Sequence, residues 1–304
     1  IWTYLMPGSY VLSKHSLTFF REQNQTISGI RQGGHYRKKE NLATPKKELD
    51  QVKNRFFTDI IHEFRIPLTV IAGMADEIGN EKSKRLVLRN TNQLLTTVAS
   101  RIGGDVTYGL EGSVFVAGSA LQWLRDELRI IDSAPDSEQV AARTGVVEDV
   151  YVVPAFAGLG APYWDPDARG AIVGLRRGSG RDQVVTATLQ AVAYQTRDLI
   201  DAMADDGISP SVIRVDGGMV ANDWFLQFLA DILDIRVERP ANVESTVLGA
   251  AYLAALQCGM IDDLQQASQL WQCDAVFEPR MSGDQRDALL SGWAAAVAQV
   301  RGPM

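Results

Sequence analysis

The chain has 304 residues, of which 46% are hydrophobic, and this is enough apolar material to form the core of one large or two ordinary globular domains. The charged fraction of 22% and the net charge of −7 give no reason to expect nucleic acid or an anionic membrane as a partner. Composition therefore excludes a strongly basic nucleic-acid binder and predicts an ordinary globular protein.

The composition changes abruptly near residue 101. Residues 1–101 contain 16 Lys and Arg against 9 Asp and Glu, whereas the remainder contains 14 against 28, and all 8 lysines lie in the first segment. A change of this kind is typical of two joined coding sequences, through either a natural gene fusion or a misjoined sequence. Because the chain begins with Ile1 rather than Met, we also expect it to be a fragment of a longer protein.

Residues 1–48 carry no motif that predicts a function, and we leave this segment unassigned. Its apolar part is interrupted by Pro7 and Lys14, so it predicts neither a signal peptide nor a membrane-spanning helix. Two cysteines, Cys258 and Cys273, are too few for a disulfide framework, and we expect both to be buried free thiols in a reducing compartment. The sequence thus indicates a cytoplasmic protein without a membrane segment.

Residues 49–96 have the pattern of a helical hairpin. Apolar residues recur at alternating spacings of four and three from Phe57 to Ile78, and a second apolar stripe runs from Leu88 to Val98. This pattern predicts two antiparallel helices with a shared apolar seam, and burial of that seam favours a homodimer.

His62 and Glu63 are the chemically interesting pair in this hairpin. A carboxylate beside an imidazole can take its proton and leave a nitrogen nucleophile for phosphoryl transfer, although a surface His-Glu pair on a helix usually has no function. The string over residues 56–69 resembles the phosphoacceptor box of sensor histidine kinases. The resemblance implies that His62 is the phosphorylated residue and Glu63 its acid/base partner. No ATP-binding module of that family follows, so we expect nothing in this chain to phosphorylate His62.

Strand-like and helix-like segments alternate after residue 101, and this alternation predicts an α/β layered domain. Segment 94–99 fits both the second helix of the hairpin and a strand, and we predict a strand because the sheet would otherwise lose ladder hydrogen bonds. The other predicted strands cover residues 105–108, 150–154, 171–174, 212–215 and 236–239. The predicted helices cover residues 115–128, 182–203, 221–232, 245–259 and 283–301.

The most informative loop follows the predicted strand at 212–215 and reads Asp216-Gly217-Gly218 before a helix begins. Glycines at the end of a strand let backbone amides approach a ligand, and the N-terminus of the following helix favours phosphate. A plain tight turn has the same local sequence, and the chain has no P-loop motif. The loop alone therefore leaves a nucleotide site and a structural turn as alternatives.

Five other segments accompany this loop in a fixed order. They read L-E-G-S-V-F-V-A-G at 110–118, Q-W-L-R-D at 122–126, P-A-F-A-G-L-G-A-P-Y-W-D-P at 154–166, A-Y-Q-T-R-D at 193–198 and T-V-L-G-A-A at 246–251. Together they resemble the glycerol kinases of the FGGY family of carbohydrate kinases over residues 102–304. The resemblance implies the actin/hexokinase-like fold, with residues 97–304 as the second of its two ribonuclease-H-like domains. The expected fold class is thus an α/β, ribonuclease-H-like C-terminal domain preceded by an α-helical hairpin.

The resemblance also implies the residues of an ATP site. Asp216 is expected to act at the phosphates through water or Mg²⁺. For the amides of Gln122 and Asn222, a helix cap or a solvated surface position is the alternative. The implied contacts to ATP come from Gly118, Gln122, Gly217, Gly218 and Asn222.

The same resemblance implies what this chain lacks. In the family, the first domain supplies the glycerol-binding residues and the aspartate that acts as general base, and no part of this chain resembles it. We therefore expect binding of ATP and Mg²⁺, but no phosphorylation of glycerol to glycerol 3-phosphate unless that domain is supplied. The competing interpretation is a phosphorelay fragment with His62 as acceptor. We expect a structural role for the aromatic loop at 154–166, and core positions for Trp123, Trp224 and Trp293.

Overall fold

A computed structural model describes residues 10–12, 16–22, 94–102 and 105–301. The strands are β1 (Tyr10–Leu12), β2 (Ser16–Glu22), β3 (Leu95–Ile102), β4 (Asp105–Ser113), β5 (Tyr151–Val153), β6 (Ala171–Val173), β7 (Val212–Val215), β8 (Arg236–Pro240) and β9 (Cys273–Phe277). The helices are α1 (Gly118–Asp126), α2 (Asp136–Thr144), α3 (Arg181–Asp205), α4 (Asp223–Leu233), α5 (Ser245–Gln257), α6 (Leu264–Gln269) and α7 (Gly283–Val300). A short 3₁₀ turn over Gly218–Ala221 precedes α4.

Seven strands form one mixed sheet in the order β3-β4-β2-β1-β7-β8-β9. Strand β7 pairs in parallel with both β1 and β8, while the remaining pairs are antiparallel. Because β7 and β8 are parallel, their carboxyl ends lie at the same edge of the sheet, which is where α/β sheets bind ligands. The loop after β7 and the segment that leads from β8 into α5 therefore meet at this edge.

Helix α3 forms the centre of the core. Its Tyr194 stacks on Trp293 of α7 with ring centroids 5.3 Å apart, and the edge of the same ring meets Phe228 of α4 at 5.7 Å. Trp293 is only 1% exposed, as predicted, whereas Trp123 and Trp224 are half-buried against the same core. Although α3 has 25 residues, neither it nor another helix in the described ranges is long and apolar enough to cross a membrane.

The structure confirms all five strands predicted after residue 101 and the five helices predicted there, with differences at their ends. It also has a strand, β3, at the ambiguous segment 94–99. Sequence analysis missed β1, β2, α2, α6 and β9. Residues 49–93 of the predicted hairpin at 49–96 lie outside the described residues. Its last two positions, Leu95 and Thr96, belong to strand β3 instead of a helix.

The prediction of buried thiols is wrong. Cys258 and Cys273 are both free and exposed. Cys258 follows the last residue of α5, a helix in which Gly249 is the only fully buried residue, and Cys273 begins strand β9 at the margin of the sheet. Residue type favoured burial, but both positions lie where the described part of the chain provides little cover.

Gly160 lies where the loop at 154–166 touches the end of β4. A Cβ atom at this position would overlap the carbonyl oxygen of Ser113 and approach the ring of Phe115 at 3.3 Å. We expect Gly160→Ala to lower the free energy of unfolding by about 2–4 kcal/mol, because either the loop or the strand end must move. Chemical unfolding would measure this change. A Cβ at Gly283 meets no atom within 4 Å, so Gly283→Ala is the matched control, and equal effects of the two changes would contradict the prediction.

Candidate functional site

The two glycines after β7 have different tasks. Gly217 has a φ of 86°, a backbone conformation that residues with a Cβ rarely adopt. Its amide donates to the carbonyl oxygen of Val243 at 3.0 Å, which ties the loop to the segment before α5. Gly218 is exposed, and a Cβ there would meet no atom within 4 Å. Gly217 therefore sets the course of the chain, whereas Gly218 keeps an open space beside it.

Asn222 is the N-cap residue of α4. Its Oδ1 accepts a hydrogen bond from the backbone amide of Phe225 at 2.8 Å. Its Nδ2 is buried and has no hydrogen-bond partner among the described residues. Buried donors are nearly always paired in folded proteins, so this donor is available to a water molecule or a ligand. The helix cap considered as an alternative role is therefore real, but it uses only the oxygen of the side chain.

The start of α4 is less open to phosphate than the sequence indicated. The 3₁₀ turn Gly218–Ala221, which begins at the second glycine, lies between Gly217 and the helix. In addition, the carboxylate of Glu138 on α2 accepts the backbone amide of Asp223 at 2.9 Å. A phosphate at this helix N-terminus would meet a carboxylate that already holds the first amide, which disfavours phosphate at this amide. The phosphate preference inferred from the loop sequence stays a prediction.

Asp216 lies at the opposite end of the loop from Asn222. Its Oδ2 accepts a hydrogen bond from the hydroxyl of Ser245 at the start of α5, and its Oδ1 is buried without a partner among the described residues. Burial raises the pKa of Asp216, an effect that the hydrogen bond from Ser245 opposes and the nearby Glu244 reinforces. A cation near Oδ1 would relieve the cost of holding this carboxylate in its charged form.

The donor set fits Mg²⁺ only together with phosphate. Mg²⁺ in nucleotide sites uses one or two carboxylates and takes its other ligands from water and phosphate oxygens. Asp216 supplies one carboxylate, and no group of three or more His, Cys, Asp or Glu that could hold a metal occurs in the described part of the chain. The arrangement therefore suits a metal ion that arrives with a nucleotide.

Helix α1 begins beside the glycine loop. A Cβ at Gly118 would lie 3.6 Å from Cγ of Met219, the residue after Gly218. The first turn of α1 has neither a side-chain cap nor an acidic residue, so its amides face no competing carboxylate of their own. Gln122 is one turn further along on the same side of α1 and is exposed. The structure thus brings Gly118 against the loop, with Gln122 on the adjoining helix face.

Two residues that contact the neighbourhood of the site, Gln195 and Glu138, were missed by sequence analysis. Gln195 of α3 donates to the carbonyl oxygens of Ala191, at 3.2 Å, and Val116, at 3.4 Å, and the second bond holds the chain just before α1. Gln195 lies within segment 193–198, so its motif was a usable signal. Glu138 had none, because α2 was not predicted.

Tyr163 and Trp164 of the aromatic loop at 154–166 are partly buried and pack against the core, whereas Phe156 is exposed. Trp164 meets Phe115 edge to face at 6.3 Å, and the hydroxyl of Tyr163 is hydrogen-bonded to Asp198 of α3. These contacts accord with the structural role expected for the loop and leave its two largest rings largely occupied. His62 and Glu63 lie outside the described residues, and their role stays a prediction.

Comparison with known proteins identifies the family. The family model for the C-terminal domain of the FGGY family of carbohydrate kinases matches residues 77–258. The chain belongs to this FGGY family. The match begins inside the segment predicted as the hairpin, 49–96, and so extends the FGGY region on the N-terminal side of the predicted domain boundary at residue 97.

The similar relatives of this FGGY chain are glycerol kinases. That of Ectopseudomonas mendocina is 59% identical over 211 residues, which are 69% of this chain and 43% of the relative. Glycerol kinase 1 of Pseudomonas aeruginosa is 54% identical over 210 residues, or 69% of this chain and 42% of the relative. The chain thus spans less than half the length of these relatives.

Solved structures show the same fold. The glycerol kinase of Plasmodium falciparum, crystallised with ADP, superposes with a TM-score of 0.65 at 34% identity, over 71% of this chain and 43% of that one. A xylulose kinase from Lactobacillus acidophilus superposes with a TM-score of 0.62 at 17% identity, over 96% of this chain and 47% of that one. The second likeness shows the fold alone, which is the α/β, ribonuclease-H-like fold expected from the FGGY motifs.

Proposed function

We propose that residues 97–304 are the nucleotide-binding half of an ATP-dependent glycerol kinase. The observation that carries this proposal is the pair of buried, unpartnered polar atoms, Asp216 Oδ1 and Asn222 Nδ2, on either side of the two glycines. A ligand with an acceptor at one end and a metal-bound phosphate at the other would satisfy both atoms. The relatives named glycerol kinase and the similar structure with ADP support this choice of ligand.

The residues of the proposed site have distinct roles. The amide of Asn222 donates to an acceptor atom on the purine side of ATP, while its oxygen continues to cap α4. Gly118 and Gly218 allow close approach of backbone to the nucleotide, and Gln122 adds a polar side chain on the α1 face. Asp216 orients the water or Mg²⁺ that accompanies the phosphates. When bound, that Mg²⁺ neutralises charge on the phosphate oxygens.

Glycerol phosphorylation is proposed for proteins of the relatives' full length, of which this chain spans about 43%. The glycerol site and the general base are assigned to the part of the relatives that this chain does not span. Phosphoryl transfer depends on holding both reactants in one closed site, so we expect this chain to bind nucleotide without transferring phosphate to glycerol. The location that we propose is the cytoplasm, where ATP is available.

Titration calorimetry of MgATP into the full chain tests the proposal. Gly218→Asp places a carboxylate in the open space beside the loop, and charge repulsion with the phosphates should lower the affinity at least tenfold. Gly218→Ala is the matched control, because its Cβ meets no atom of the chain within 4 Å. We expect the alanine variant to bind within about threefold of the unmodified protein.

The unfolding temperatures of the three proteins complete this test. Similar temperatures would show that Gly218→Asp removes binding rather than the fold. A folded, unmodified protein that takes up no MgATP would overturn the proposal that this half retains a nucleotide site. Equal affinities of the aspartate and alanine variants would place the nucleotide elsewhere.

A further inference from the structure

Arg239 of β8 is the most heavily bonded side chain near the loop. Its Nη1 donates to the carbonyl oxygen of Val220 at 3.0 Å and to Oδ1 of Asp223 at 2.6 Å. On its other side, Nε donates to Oδ2 of Asp274 on β9 at 2.8 Å. The side chain is only 16% exposed, and the ring of Phe277 lies 5.8 Å away. One guanidinium group therefore joins the 3₁₀ turn, the start of α4 and strand β9.

These contacts bracket Asn222. Val220 lies two residues before it and Asp223 directly after it, so the backbone before Asn222 and the side-chain carboxylate directly after it are both bonded to one planar group. That group stands on β8, whose register with β7 is fixed by the pairs Ile213↔Val237 and Arg214↔Glu238. Arg239 therefore links the neighbours of Asn222 to the sheet. The position of the unpartnered Nδ2 of Asn222 depends on this link as well as on α4.

We infer that Arg239 is a positioning residue, which aims the side-chain amide of Asn222 at the nucleotide. The inference rests on the proposed function for its ligand, but the geometry that it describes exists without one. The two carboxylates are 63% and 50% exposed, and ion pairs with exposed partners contribute little to stability. We therefore assign these contacts a role in orienting the side chain of Asn222 rather than in stabilising the fold.

Only arginine has the donors for this task. Its planar fork presents five N–H groups and reaches three acceptors in different directions, whereas the ammonium of lysine is a single point of charge. Arg236 is three residues earlier on the same strand and pairs instead with Glu238 and Glu278 at 3.0 Å and 3.4 Å. Arg236→Gln therefore removes an arginine from β8 but leaves the contacts of Arg239 with Val220 and Asp223 in place.

The first measurement records the NMR signal of the Asn222 side-chain amide in the absence of any ligand. In the ¹⁵N-labelled chain of 304 residues, the side-chain amide pair of Asn222 is identified by its disappearance in Asn222→Ser. We expect Arg239→Gln to shift or broaden this pair, Arg239→Lys to have a similar effect, and Arg236→Gln to leave it in place. An unchanged Asn222 signal in Arg239→Gln would overturn the inference whether or not the protein binds ATP.

The second measurement is a double-mutant cycle on MgATP affinity. If Arg239 acts through Asn222, Arg239→Gln lowers the affinity about fivefold alone and adds almost nothing in combination with Asn222→Ser. Fully additive losses would mean that Arg239 affects binding by another route, and a loss equal to that of Arg236→Gln would mean no specific role. Absence of binding in the unmodified protein would instead refute the proposed function, while the amide signal still decides the inference.

Discussion

Asn222→Ser is expected to weaken MgATP binding about tenfold while leaving the stability of the domain almost unchanged. Serine is as good an N-cap as asparagine, so its hydroxyl oxygen can continue to accept the amide of Phe225. What the substitution removes is Nδ2, the buried donor without a partner among the described residues. An acceptor on the nucleotide would then lose its hydrogen bond in a desolvated site, which accounts for the expected factor.

Asn222→Ala separates the two tasks of this side chain. It removes both the donor and the cap, so it should weaken binding as much as serine does and also lower the free energy of unfolding by about 1 kcal/mol. Calorimetric titration and chemical unfolding of the same three proteins measure both quantities. If serine bound MgATP as tightly as asparagine, Nδ2 would not contact the nucleotide and the proposed site would have to be moved.

The local part of this site could be predicted from sequence. The sequence Asp216-Gly217-Gly218 after strand-like residues predicts where β7 ends and where the backbone can approach a ligand closely. The positive φ of Gly217 confirms that this position favours glycine. The motif order then gave the family. The same local reasoning misjudged the start of α4, because the intervening 3₁₀ turn has no sequence signature of its own.

Long-range pairing was the part that sequence could not provide. Glu138 reaches Asp223 across 85 residues, and Arg239 reaches Asp274 across 35. Such contacts depend on which strands become neighbours, and β9 was not predicted at all. Segment 105–301 therefore had most of its elements predicted, whereas the polar contacts that aim Asn222 depend on tertiary structure.

Residue type alone was a weak guide to burial. Cysteine is among the residues most often buried, yet Cys258 and Cys273 are exposed because α5 and β9 have few neighbours in the described part of the chain. The prediction that Trp293 lies in the core was correct, because this aromatic residue lies on an apolar face of a long helix. The strand at 94–99 was also predicted correctly, because the ladder of the sheet required it.

Asp198 is a carboxyl group held among aromatic donors. Its Oδ2 accepts the indole N–H of Trp293 at 2.8 Å, and the hydroxyl of Tyr163 is also hydrogen-bonded to it. Burial raises the pKa of Asp198 to about 6, an effect that these two bonds oppose. Of the charged neighbours on α3, Asp201 raises this pKa further and Arg197 lowers it. Arg301, at the end of α7, lies over the ring of Tyr163 at 5.1 Å.

The sign of the resulting pH dependence follows from proton binding. At pH values between the ordinary aspartate pKa of 3.8 and the raised pKa of about 6, the folded protein holds a proton on Asp198 that the unfolded chain has released. The contribution of this group to stability is therefore greatest at acid pH and is lost as the pH rises through about 6. A shift of about two pKa units corresponds to at most about 3 kcal/mol.

Asp198→Asn, a neutral isostere of the protonated acid, should remove this dependence. We expect the variant to match the unmodified protein at about pH 4 and to exceed its free energy of unfolding by up to about 3 kcal/mol at pH 7. Chemical unfolding at closely spaced pH values measures the difference. Asp205→Asn is the control, since Asp205 is exposed at the end of the same helix. A difference between Asp198→Asn and the unmodified protein that is constant from pH 4 to 7 would show that Asp198 does not titrate in this range.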